Sequence, residues 1–139
     1  MSIPRDIYER VHELSLAIVN AMEAGDDELY ETHCLALREY FDEQTNTGRP
    51  HPFLTEAMAD YTDDKVEAVR LYELALEQSC AFPDEPVHTK MISLAGQLIE
   101  LGRTEQAGAY LRDGRAEAAR SGDAYWIEEA DRLVQEVTL

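Results

Sequence analysis

The sequence predicts an all-α protein, about seven antiparallel helices arranged as helical hairpins, with no β-sheet. Three observations carry this. Apolar residues recur at steps of three and four along nearly the whole chain, and no stretch alternates as a half-buried strand would. Glycines and aspartates punctuate these stretches where helices stop and start. The connections are mostly tight turns, and helices joined so closely must lie side by side and antiparallel. The chain has 139 residues, 45 % of them hydrophobic, which suits one domain over 1–139 with a packed core and argues against global disorder.

The first helix starts near Pro4, a residue tolerated in a first turn. It carries Ile7, Val11, Leu14, Ile18 and Ala21 on one face. Gly25 stops it and Asp26 caps the second helix. That helix has two adjacent stripes, one of Leu29, His33, Ala36 and Tyr40 and one of Tyr30, Cys34, Leu37 and Phe41, so burial on more than one side is expected. His33 reads as a core histidine. The polar stretch DEQTNTGRPHP, residues 42–52, reads as the main loop. A short helix follows from Phe53 to Tyr61. Thr62 or Asp63 is expected to cap a fourth helix that runs to about Cys80. FPDEP breaks the chain, and a fifth helix covers about Val87 to Leu101 with Met91, Leu94, Leu98 and Leu101 on its face. Gly102 ends it and Thr104 is expected to cap a sixth, which carries Ala107, Leu111 and Ala118. After Gly122, Asp123 caps a last helix with Trp126, Ala130, Leu133 and Val137. The pairs span about 4–45, 52–82 and 86–121, with a terminal helix at 123–137. The acidic runs Asp26–Glu28 and Asp63–Asp64 stand at helix starts, where they complement the helix dipole.

The pairs echo one another. Their inner turns, at Gly25, Asp63 and Gly102, lie 38 and 39 residues apart. Five residues after Asp63 comes Ala68, then Tyr72, Ala75 and Leu76; five after Gly102 comes Ala107, then Leu111 and Gly114. After Gly25 come the bulkier Tyr30, Cys34 and Leu37. Gly108 and Gly114 inside a helix cost about 1 kcal/mol each against Ala, so close contact with a neighbouring helix or a partner is expected there. Trp126, Ala130 and Leu133 look like the start of a fourth unit. This pattern resembles the tetratricopeptide repeat family, in which pairs of antiparallel helices repeat every ~34 residues with small residues at close-packing places. The longer period departs from the family, as do the absent Trp and Leu-Gly of the first helix and the late closing proline, Pro83.

The resemblance implies a concave groove lined by the first helix of each pair. It would take His12, Ser15, Val19 and Glu23 from the first unit, Phe53, Ala57, Asp60 and Tyr61 from the second, and Thr89, Ser93, Gly96 and Glu100 from the third. Relatives in that family that clamp acidic chaperone tails use Lys, Arg and Asn in this groove. None of these places is basic here, so a basic segment suits it better. Composition points the same way. The formal net charge is −17, from 29 acidic and 12 basic residues. That argues against binding nucleic acid or anionic membrane, both of which need Lys and Arg, and favours a basic protein partner.

No phosphate-binding loop, nucleophile elbow or zinc-helix motif occurs, and no cofactor or catalytic residue is assigned. Two Glu-x-x-His pairs, Glu9 with His12 and Glu85 with His88, offer a di-metal alternative of helical-bundle type. Cys34 and Cys80 lack metal spacing and read as buried free thiols. MSIPRDIYERV lacks the apolar run of a secretion signal, and no stretch approaches the ~18 apolar residues of a membrane span. The expected setting is a reducing cytoplasm. The expected function is non-catalytic binding of a protein partner, as an immunity-type neutraliser of a cationic toxin or as a secretion or assembly chaperone. The alternatives are a metalloprotein or enzyme built on the Glu-x-x-His pairs, and a self-associating scaffold, a homodimer included.

Overall fold

The computed structural model describes residues 3–138, and these are all helix and turn. The helices are α1 (Arg5–Ala24), α2 (Asp27–Asn46), α3 (Pro52–Asp60), α4 (Lys65–Ser79), α5 (His88–Glu100), α6 (Thr104–Ser121) and α7 (Ala124–Thr138). Consecutive helices pack as hairpins, α1 on α2, α3 on α4 and α5 on α6, and α7 closes the end against α5 and α6. Within the odd-numbered set α1 touches α3 and α5 touches α7, while the even-numbered helices stand further apart. Thr89 and Lys90 of α5 reach Glu56 of α3, so the odd helices share one layer, here called the inner one.

The predicted core faces are the buried ones. Ile7, Val11, Leu14, Ile18 and Ala21 of α1 pack inward, as do Leu94 and Leu98 of α5 and Ala130 and Leu133 of α7. Ala68, Tyr72 and Ala75 of α4 are all buried. Gly25 and Gly122 take left-handed backbone and stop α1 and α6, where a side chain would be strained. Gly114 has a different reason. A Cβ there would lie 2.9 Å from Ile92 Cγ1 and 3.1 Å from Met91 Cβ, so its missing side chain lets α6 approach α5 closely. Gly108 faces open space.

Several local expectations are corrected. Residues 42–46 are helix, so the loop is only 47–51. The polar run DEQTN continues α2 because Gln44 falls three residues after Phe41, on the buried face. The loop is then tied back: Arg49 donates to both carboxylate oxygens of Asp6 at 2.8 and 2.9 Å. Asp64, not Thr62 or Asp63, caps α4, accepting from the amides of Val66 and Glu67 at 2.9 and 3.1 Å. Thr104 is the first residue of α6 and makes no capping bond. Asp26 caps α2 as expected, at 3.0 Å from the Leu29 amide. Cys80 ends α4 and is exposed; Cys34 and His33 are only half-buried, because α2 reaches the core fully through Leu37 and Phe41, further along the helix. Asp123 caps α7 and also bonds His88 Nε2 at 2.9 Å, locking the last turn onto the start of α5.

The first hairpin joins the rest of the molecule through α3. The side-chain tie from Tyr30 to Asp63, 3.3 Å, reinforces that junction.

Candidate functional site

The inner layer carries a groove. Phe53, Glu56, Ala57 and Asp60 recur on one face of α3, at the steps that keep side chains together on a helix. With Val11, Ser15 and Tyr61 they line a cavity of about 140 Å³ between α1 and α3. A second cavity, of about 270 Å³, opens between α5 and α7. Ser93, Gly96 and Glu100 line one side of it, Trp126 and Leu133 the other, and Tyr72 lies beneath. Gly96 keeps this wall low, with only the tip of Leu133 near the place of a Cβ.

Polar side chains stitch the two cavities into one surface. The Tyr72 hydroxyl donates to Asp60 Oδ1 at 2.5 Å, and Ser93 bonds the same hydroxyl. Thr89 donates to Glu56 at 2.7 Å across the α3–α5 boundary. Tyr61 meets Ser15 across the α1–α3 boundary. Lys90 is wholly buried (0 % exposed) under this seam; its ammonium contacts Glu56 at 3.1 Å, Glu85 at 3.2 Å and the Pro86 carbonyl at 2.7 Å.

The electrostatics single out Asp60. Its surface is open to the groove, but protein crowds it on the other sides. This loss of hydration pushes its carboxyl up to about 7, against the hydrogen bond from Tyr72; neighbouring Glu56 raises it further and Lys90 lowers it. Burial and the nearby Asp60 carboxylate likewise push the Tyr72 hydroxyl far above its ordinary range, so it stays a donor. The other groove carboxylates have cations. Glu56 has Lys90, Glu100 has Lys65 at 3.1 Å, and Arg132 lies between Glu129 and Glu136. Among the described residues no Lys or Arg forms an ion pair with Asp60.

The residues expected to line a groove divide into two groups. Ser15, Phe53, Ala57, Asp60 and Tyr61 meet in the first cavity, and Ser93, Gly96 and Glu100 in the second. Thr89 sits at the seam between them. His12 stands at the rim, stacked on Tyr8 at 6.2 Å, and Tyr8 also stacks on Phe53 at 5.7 Å. Val19 and Glu23 are exposed further along α1, outside both cavities. Glu56, Tyr72, Lys90, Trp126 and Arg132 were not anticipated. Glu56 was readable from its spacing to Phe53 and Asp60. The α7 residues were readable from the echo of a fourth unit. A buried lysine leaves no such signal.

The Glu-x-x-His pairs are engaged separately. Glu9 bonds Arg5, His12 stacks on Tyr8, Glu85 meets Lys90 and His88 meets Asp123. Among the described residues no cluster of three or more His, Cys, Asp or Glu is placed to hold a metal ion. Burial raises the Cys34 thiol above its usual range, with further help from Asp63 and Glu31, so it is not primed as a nucleophile. No described helix is long and apolar enough to cross a membrane. Comparison with protein families, with characterised proteins and with solved structures finds no match.

Proposed function

We propose that this protein is a non-catalytic binding module whose inner groove holds a basic segment of a protein partner. The observation that carries this is Asp60, a carboxylate open to the groove, short of hydration, and without a cation of its own. A lysine or arginine from a partner would supply the missing charge, and the flanking Phe53 and Tyr61 would stack on its alkyl or guanidinium part. The stacked hairpins and the close packing at Ala68, Ala75 and Gly114 support a divergent tetratricopeptide-like ancestry for this surface. The net charge of −17 would steer a cationic partner to the surface quickly and in a salt-sensitive way. Two forms of the function fit these features in a cytoplasmic protein: neutralising a cationic toxin, or escorting a basic protein before secretion or assembly.

The test is a titration with a labelled Lys- and Arg-rich peptide. The pair Asp60→Asn with Glu100→Gln is expected to weaken binding about tenfold, a loss of about 1.4 kcal/mol, and to flatten its salt dependence. The pair Glu105→Gln with Asp113→Asn, on the outer helix α6, removes the same formal charge and should leave binding nearly unchanged. Equal weakening by both pairs would make the attraction a diffuse charge effect and remove the groove from the account.

A further inference from the structure

The inner layer is not evenly filled. Tyr61, the residue that ends α3, meets Ser15 of α1. Residues 16–24 of α1 therefore run on past the end of α3, an overhang of roughly 13 Å at the rise of a helix. Three apolar side chains stand open on it: Leu16 is 54 % exposed, Val19 36 % and Met22 57 %. They recur every third residue, so they form one of the ridges by which helices pack against helices.

The surroundings of this ridge are strongly acidic, and of their carboxylates Arg10 pairs with Glu13, at 2.6 Å. From Val11 to Leu37 there is no Lys or Arg, while Glu13, Glu23, Asp26, Asp27, Glu28 and Glu31 all lie there. Asp60 and Asp63 border the same end from the second hairpin. A second copy of this chain would bring the same carboxylates against these, so charge disfavours it as the occupant. A strand has no sheet edge to join among the described residues. A helix with one apolar face and basic flanks satisfies both the ridge and the rim.

We propose that the overhanging half of α1 seats a cationic amphipathic helix of the partner, its apolar face on Leu16, Val19 and Met22 and its basic side chains toward Glu23 and Asp60. This rests on the reading of the groove as a site for a basic segment, and it adds the shape of that segment. In the bound state the partner helix takes the place that α3 is too short to fill.

The experiment compares two labelled peptides of one Leu/Lys composition by fluorescence anisotropy. One, about four turns long, segregates its leucines on one helical face; the other is scrambled so that they cannot segregate. The amphipathic peptide should bind the wild-type protein at least about tenfold more tightly than the scramble, about 1.4 kcal/mol. Val19→Ser with Met22→Ser should abolish that preference and leave the two peptides equal. Leu35→Ser, at an equally exposed place on α2, should preserve it. All three positions are on the surface, and circular dichroism checks that each variant is folded. Equal binding of both peptides to the wild type would overturn the helical seat while leaving a charge-reading groove in place. A preference that survives the double substitution, or is lost with Leu35→Ser, would move the seat elsewhere and overturn the proposal. Failure of both peptides to bind would remove the groove reading as well.

Discussion

Lys90 is the residue on which the inner layer is pinned. It joins α5 to Glu56 of α3 and to Glu85 in the preceding loop, with no access to water. A buried cation of this kind adds little over a well-packed apolar side chain, but removing it alone strands two carboxylates. Lys90→Met is therefore expected to destabilise the fold by about 3–5 kcal/mol in chemical denaturation, and adding Glu56→Gln and Glu85→Gln should restore part of the loss. Asp60 gives a pH-dependent prediction of known sign. Its carboxyl is raised to about 7 in the folded chain, against about 3.9 in an unfolded one. The folded state thus holds the proton more tightly. The stability that this group contributes is complete below about pH 4 and is lost as pH rises towards 7. Asp60→Asn should raise Tm relative to wild type at pH 8 and not at pH 4, while its amide oxygen still accepts from Tyr72. An equal effect at both pH values would mean that the amide acts through packing. Neither of these roles was fully legible in the sequence. Asp60 could be placed in a groove by spacing, but its missing cation depends on which partners Lys65 and Lys90 choose across the fold.

At the scale of elements, the two glycines of α6 make a matched pair. Gly114→Ala drives a Cβ into Ile92 and Met91. Overpacking of this kind costs about 1–3 kcal/mol, more than the gain of up to about 1 kcal/mol in helix propensity, so net destabilisation is expected. Gly108→Ala meets nothing and should stabilise by up to about 1 kcal/mol. Urea midpoints of the two variants should move in opposite directions. The sequence made the helices readable because their stripes and stops agree: Gly25 and Asp26, Gly102, Gly122 and Asp123 all sit at helix boundaries. It misled at DEQTN, where polar side chains hid a turn of helix whose buried member is a glutamine. It could not reveal that α3 ends beside the middle of α1, because chain spacing fixes the length of a helix and not its alignment with a neighbour.

At the scale of the whole molecule the net charge of −17 is a standing repulsion. Many of the ion pairs are local ones within a single helix, such as Arg5 with Glu9 and Arg70 with Glu67, and exposed pairs of this kind contribute little. Added salt should therefore raise Tm by screening the excess carboxylates, and a fall with salt would mean that attractive pairs dominate the surface. The same repulsion bears unequally on the parts. The helices from α3 to α7 form a continuous packed body, whereas the first hairpin is attached through α3 and a few side-chain ties. Its free end is also the most one-sidedly charged. Such a hairpin should open as a unit before the molecule unfolds globally, and amide hydrogens in α1 and α2 should exchange with solvent sooner than those in α5 and α6. The groove is thus a jaw with one braced side, α3 to α7, and one sprung side, the first hairpin, and an occupant that widens it works against the packing of α1 and α2 on α3.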